Sequence, residues 1–178
     1  MLVVVSDTHS TDGHRLEGRT LDAVREAELV VHAGDLMTET VLDAFHEEAD
    51  RLLAVYGNND DRATRDRIPD ARVVEYGGLR FAVTHTRRGG ATALSLFGRE
   101  RDADAVVFGH THRPTVETTG EMQLLNPGSH ADPRRYRPAH AELEPVADAT
   151  EPTLRGRLVA PSGEVYEQFR FERRRASE

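Results

Sequence analysis

With 178 residues, 38% of them hydrophobic and 30% charged, the chain holds enough apolar material for one core and too much for a disordered, collagenous or coiled-coil protein. Its 31 acidic and 23 basic residues give a net charge of −8, so a basic nucleic-acid face and strong nucleic-acid binding are not expected. Cysteine is absent, which excludes disulfides, thiolate nucleophiles and sulfur-ligated metals; any metal must sit on His, Asp, Glu or Asn.

Met1 to Ser6 is a Val-rich run ending in polar residues, the pattern of a buried parallel strand. Leu16, Thr20, Ala23, Val24 and Ala27 recur at near-helical spacing. Leu29 to Ala33 reads as a second buried strand, halted at Gly34-Asp35. Thr38 to Ala49 reads as a helix, with Thr38 as cap and Val41, Leu42 and Phe45 as apolar face. A third strand, Arg51 to Tyr56, breaks at Gly57-Asn58-Asn59-Asp60. Arg72 to Tyr76 and Leu79 to Thr84 flank Gly77-Gly78, which suits a two-residue hairpin turn.

Gly89-Gly90 opens a helix reaching about Arg101, and Ala103 to Phe108 is another buried strand, ending at Gly109-His110. Beyond Pro114 the pattern turns β-rich: Val116 to Thr118, Met122 to Asn126, Ala141 to Val146, Leu154 to Ala160 and Glu164 to Phe171, the last two joined by Pro161-Ser162-Gly163. The reading is a βαβαβ front and a β-meander back, an α/β domain over residues 1–172, with a solvated tail at 173–178 and a long loop from Ser129 to Pro138.

No apolar run approaches the ~18 residues of a membrane helix, and the chain opens on Met1-Leu2-Val3-Val4-Val5 without a basic leader, so a cytoplasmic protein without membrane attachment is expected. All 23 basic residues are arginine. GC-rich coding or life in high salt would each give this, and the acidic excess favours a halophile.

The polar residues are concentrated at strand ends. Asp7-Thr8-His9, Gly34-Asp35, Gly57-Asn58-Asn59-Asp60, Thr84-His85 and Gly109-His110-Thr111-His112 each follow an apolar strand directly. Ligands of open α/β sheets bind outside the carboxyl ends of the strands, so these segments should share one rim. Asp7 and His9, and His110 and His112, are two apart, which on extended backbone sends both side chains to one side. Imidazole and carboxylate without sulfur suit Mn, Fe, Co, Ni or Zn better than Mg or Ca. Two such ions ~3.5 to 4 Å apart would form a clamp for displacement at phosphorus.

Leu2 to about Ser129, including the turn Asn126-Pro127-Gly128-Ser129, resembles the calcineurin-like metallophosphoesterases, most closely their small bacterial and archaeal branch, which shares its fold with the eukaryotic retromer subunit. The resemblance implies a four-layered α/β/β/α sandwich. It implies one metal on Asp7, His9, Asp35 and His112, and a second on Asp35, Asn58, His85 and His110, with Asp35 bridging. Asp35 and Asn58 would then hold the metal pair that activates a bridging water.

The broad superfamily writes its third motif Gly-Asn-His followed by an acid, and that His protonates the leaving group; here the position is Asn59, which cannot act as a general acid. Thr86 stands where the family often has glycine. Asp60, without a His at 59, reads as a cap or a support for the ligands, and Asn126 as either a turn former or a support near His112. His14, His46 and His140 read as surface or loop residues and His130 as an ordinary loop histidine. Arg134, Arg135 and Arg137 read as a solvated run; Arg87 and Arg88 have the better claim on substrate.

The function expected from the resemblance is a dinuclear phosphoesterase hydrolysing small phosphodiesters with a metal-bridging hydroxide, with homo-oligomerisation left open. The rivals are a protein-interaction scaffold of the same fold and a phosphomonoesterase, the latter disfavoured by Asn59 and by the absence of room for a cap domain.

Overall fold

Alternation within the Val-rich strands sets the layering. In β1 (Leu2–Val5) Leu2 and Val4 enter one apolar cluster and Val3 and Val5 another, so the strand is covered on both faces. In the computed structural model, which describes residues 1–174, β1 pairs in parallel with β2 (Leu29–His32), and β2 with β3 (Leu52–Ala54). The crossover helices α1 (Gly18–Glu26) and α2 (Glu39–Glu48) lie on the outer face, where Ala23, Val24 and Phe45 meet Val3, Val5 and Val30.

A short helix, α3 (Arg62–Arg67), precedes the second sheet. That sheet contains β4 (Ala71–Tyr76), β5 (Leu79–Thr84), β6 (Ala105–Val107), β7 (Thr115–Thr119) and β8 (Met122–Asn126), in the order β4-β5-β6-β8-β7. Helix α4 (Gly90–Arg99) covers its outer face through Leu94 and Phe97. The chain then returns to the first sheet as β9 (His140–Pro145), β10 (Thr153–Val159) and β11 (Val165–Glu172), giving the order β11-β10-β9-β1-β2-β3. Between the sheets, Leu2, Val4, Phe81, Val83, Leu143 and Phe171 form the central core. The expected α/β/β/α sandwich is the one observed.

Several expectations need correction. The β-rich back is not one meander, because β7 and β8 join the second sheet while β9 to β11 extend the first. Helix α3 escapes the periodic pattern because only Thr64 of its residues is buried; its start is fixed by Asp61, whose carboxylate accepts from Thr64 N at 2.8 Å. Thr38 occupies the N-cap position of α2 but makes no side-chain cap, since its hydroxyl donates to Thr11 O at 3.0 Å.

His140, read as a surface or loop residue, is fully buried. It lies 2.9 Å from Glu142, which also accepts from Arg19 Nε at 2.8 Å and Arg157 Nη2 at 2.6 Å, tying α1 to β9 and β10. Burial pushes the Glu142 carboxyl up, but His140 and the two guanidinium groups outweigh it and hold it below the usual range. Of the tail, Arg173 donates to Gly78 O and Arg174 N to Asp104, so these two are anchored; residues 175–178 lie outside the described residues.

Candidate metal centre

Every segment singled out at a strand end arrives at the same rim. After β1 and β2 the parallel pairing continues without regular strand: Asp7 N donates to Gly34 O at 2.9 Å and His9 N to Asp35 O at 3.1 Å. Asp7, His9, Asp35, His110 and His112 have φ of 55°, 46°, 58°, 71° and 59°. The side chains therefore converge through left-handed backbone and not through the pleat of an extended chain, as their two-residue spacing suggested. For non-glycine residues this conformation costs about 1 kcal/mol or more each, and such strain gathers at functional sites.

Asp35 Oδ2 lies 3.2 Å from His9 Nε2 and 3.2 Å from His85 Nε2, and Asp7 Oδ1 lies 3.4 Å from His112 Nε2. Two groups result, Asp7-His9-His112 and Asp7-Asp35-His85, with ligand atoms within 4.8 Å of one another. His110 and Asn58 stand at the exposed edge, bonded to each other through Nδ1 and Oδ1 at 2.9 Å, with the His110 ring 5.3 Å from that of His85.

The tautomers follow from the partners. Ala33 O, Asp132 O and Asn58 Oδ1 can only accept, so the Nδ1–H groups of His85, His112 and His110 donate to them and each Nε2 keeps its lone pair. Nε2 of His9, His85 and His112 is buried and makes no hydrogen bond. Three desolvated Nε2 atoms without a hydrogen-bond partner, two of them with assigned lone pairs, beside two carboxylates fit a bound cation, which would satisfy all five groups at once.

The charges follow the same geometry. Asp35 and Asp7 raise His9 to about 9 against the opposing effect of burial. Burial lowers His85, but the same carboxylates outweigh it and raise the ring overall. Burial raises Asp35, while His85 and His9 hold it below the carboxylate range. Burial and the neighbouring His85 push His110 down.

Residues around the ligands hold them in place. Asn59 donates to both oxygens of Asp35, through N at 2.9 Å and Nδ2 at 2.7 Å. Asp60 is buried and accepts from the backbone N–H of Asp35, Met37 and Gly57, which makes it a support for the ligands. Asn126 takes both roles read for it: its Nδ2 donates to Gly109 O at 2.8 Å and its Oδ1 accepts from Gly128 N at 2.9 Å. Gly57 and Gly109 are close-approach positions, where an added Cβ would collide with Asp35 Oδ1 and with Ser6 Oγ.

Sequence reasoning missed Ser6, whose hydroxyl donates to Asp7 Oδ2 at 2.6 Å, Ser129, which donates to Asp7 O at 2.7 Å, and the Asp132 carbonyl. It also missed His32, which is fully buried: its Nδ1 accepts from Gly34 N at 3.2 Å, so Nε2–H donates to Thr8 Oγ1 at 2.9 Å. The signal was a histidine closing an otherwise all-apolar strand. Arg87 turns onto Phe97, 4.4 Å from the ring centroid, and lines a cavity of about 270 Å³ beside His85 and Asn58; Arg88 and Thr86 are exposed. His46 is exposed, and His14 lies 3.4 Å from Glu48. A cavity of about 630 Å³ lies elsewhere; its Asp104 is occupied by backbone N–H groups of Arg80 and Arg174.

His130 is buried beside Phe45, its Nε2 3.0 Å from His14 O. Burial pushes His32 down to about 3 and His130 down to about 4. Both folded values lie below the unfolded value of about 6.5, so below that pH the unfolded chain takes up protons that the folded chain refuses. The contribution of these two histidines to stability is therefore expected to be full above about pH 7 and to fall as pH drops from about 6.5 toward 4, by about 2 kcal/mol per histidine at pH 5, while the raised His9 and His85 act in the opposite sense in the metal-free protein. Urea unfolding of wild type and His130→Gln at pH 7.5 and pH 5 measures this: the substitution should make stability fall less toward pH 5, and a pH dependence unchanged by it would refute the assignment.

A family model described as the calcineurin-like phosphoesterase superfamily domain matches residues 1–146. A probable metallophosphoesterase of Methanothermobacter thermautotrophicus is 35% identical over 143 residues, covering 78% of this chain and 82% of that protein. A phosphodiesterase of Methanocaldococcus jannaschii is 27% identical over 136 residues, covering 70% of this chain and 81% of that protein. Among solved structures, wild-type Vps29 of Entamoeba histolytica complexed with Zn²⁺ superposes with a TM-score of 0.70 at 22% identity, covering 96% of this chain and 98% of that one. Among the described residues, no helix is long and apolar enough to cross a membrane.

Proposed function

Because this chain belongs to the calcineurin-like phosphoesterase superfamily, we propose that it is a phosphodiesterase whose rim holds two divalent transition-metal ions. The observation that carries the reading is the convergence of three buried, unpaired Nε2 atoms, from His9, His85 and His112, on Asp7 and Asp35. One ion would take Asp7, His9, Asp35 and His112, and the other Asp35, Asn58, His85 and His110. Asp35 is the shared ligand, a reading supported by its Oδ2 lying 3.2 Å from one histidine of each set. The oxygen and nitrogen donors suit Mn, Fe, Co, Ni or Zn.

Such a pair, when bound, supplies Lewis-acid polarisation of phosphoryl oxygens and a hydroxide nucleophile at neutral pH. The chain's own residues do the positioning. Carbonyl acceptors fix the His85, His110 and His112 rings, and Asn59 fixes Asp35. The Asn59 amide gives no proton to a departing oxygen, which favours diesters with good leaving groups over monoesters. The relative named a phosphodiesterase supports the same choice. Unpaired nitrogens and strained backbone gathered at one rim favour the enzyme over the interaction-module reading.

Elemental analysis of protein purified without chelator should find about two first-row transition ions per chain. Hydrolysis of bis(p-nitrophenyl) phosphate should vanish with EDTA and return with Mn²⁺ or Ni²⁺ better than with Mg²⁺. A metal-free protein with chelator-insensitive activity would refute the site.

A further inference from the structure

We infer that the rim carries, beside the metal centre, a pocket that takes the nucleoside part of a nucleotide ester, built from Arg113, Arg135, Tyr136, Arg137 and Tyr166; this rests on the phosphoesterase reading above. The sheet registers place it. β1 pairs Val4 with Ala141, β10 pairs Leu158 with Ala141, and Val159 pairs with Val165, so the end of β10 and the start of β11 lie at the end of the sheet where β1 delivers Asp7 and His9. On the second sheet, β7 begins at Thr115, directly after His112-Arg113-Pro114. A cavity of about 310 Å³ lies between these two edges. The loop carrying Arg135 and Tyr136 is joined to the centre itself, because Asp132 O accepts from His112 Nδ1.

The walls are flat. The Arg137 guanidinium lies 3.6 Å from the Tyr166 ring centroid and is held by Glu164 at 2.7 Å. Arg135 lies 5.4 Å from the Tyr136 centroid, with Nε and Nη2 each 3.3 Å from its hydroxyl. Leu158 supplies apolar surface. Tyrosine rings and guanidinium planes stack nucleobases without needing a particular base edge. At about 310 Å³ the cavity is at the small end of ligand pockets, sized for one base with its sugar and not for an oligonucleotide.

The charge adds a second argument. In a chain of net charge −8, Arg113, Arg135 and Arg137 line this cavity against a single carboxylate, Glu167, with Arg134 next to Arg135 in the chain. Arg134 faces Asp132 at 3.9 Å and Arg137 faces Glu164, which leaves Arg113 and Arg135 without a carboxylate partner among the described residues. Arg113 follows a metal ligand directly, where it can meet a phosphate oxygen that the centre does not use.

Two measurements test the pocket. By calorimetry on EDTA-treated protein, adenosine 5′-phosphate should bind about tenfold tighter than ribose 5-phosphate, the effect of one stacking contact. Tyr136→Ala and Arg135→Gln should each reduce that ratio toward one, whereas Arg170→Gln, at the far end of β11, should leave it unchanged. With metal restored, the p-nitrophenyl ester of adenosine 5′-phosphate should show a KM about tenfold below that of methyl p-nitrophenyl phosphate, since the two share one leaving group. Equal binding of the two phosphates, or a ratio that survives both substitutions, overturns the pocket. Turnover of both esters with equal KM overturns it while leaving the phosphoesterase standing. If neither ester turns over, the phosphoesterase reading fails, and the pocket is decided by calorimetry alone.

Discussion

Asp35→Ala should leave the protein folded, remove both metals and lower kcat/KM on an aryl diester by roughly 10³-fold or more, beyond the effect of removing a single electrostatic contact. The expectation rests on position: Asp35 Oδ2 is 3.2 Å from both His9 Nε2 and His85 Nε2, so its loss empties the space between the two proposed ligand sets. His112→Ala should mainly weaken one ion. Metal content by elemental analysis, turnover and far-UV circular dichroism on each variant separate ligand loss from unfolding. Asp7 is the competing bridge, because it belongs to both ligand clusters. If Asp7→Ala stripped both ions and Asp35→Ala only one, the shared role would pass to Asp7.

The second large effect concerns the leaving group. With Asn59 where the broad superfamily places its acid, the rate should fall steeply as leaving-group pKa rises. General acid catalysis supplies ~10² to 10⁴-fold where it operates, and that factor should be missing for alkyl esters while nitrophenyl esters are cleaved readily. Asn59→His should not restore it. Asp60, the neighbouring carboxylate, is already committed to the backbone N–H groups of Asp35, Met37 and Gly57 and is not free to orient a new imidazole. The substitution would also remove the 2.7 Å bond from Asn59 Nδ2 to Asp35. A series of aryl and alkyl diesters measures the slope; a shallow dependence in the wild type would show that another group donates the proton.

The rim was legible because its signal is local. An apolar strand followed at once by Asp, His or Asn identifies both the strand end and a candidate ligand, and Asp7, His9, Asp35, His85 and His112 meet at one rim as that pattern implied. The means of meeting was not legible: a two-residue spacing does not distinguish pleated from left-handed backbone, and the latter is what Asp7, His9, His110 and His112 adopt. The supports were missed for a related reason. Ser129, Asp132 and His32 act on loops 20 or more residues away in sequence, through a hydroxyl, a main-chain carbonyl and a ring whose partners only the fold supplies.

By itself the sequence determined the strands, most of the helices and the candidate ligands, because periodicity and strand-end polarity are properties of neighbours along the chain, whereas the α/β/β/α layering was implied only by the family resemblance. Tertiary structure decided which sheet each late strand joins, since β7 and β8 go to one and β9 to β11 to the other with similar alternation. It also decided which of the histidines read as loop or surface residues are desolvated: His130 and His140 are buried and His46 is exposed, although no local pattern separates them. Strand partnership and burial depend on what packs across from a residue, and that surface is assembled from distant segments only when the chain folds.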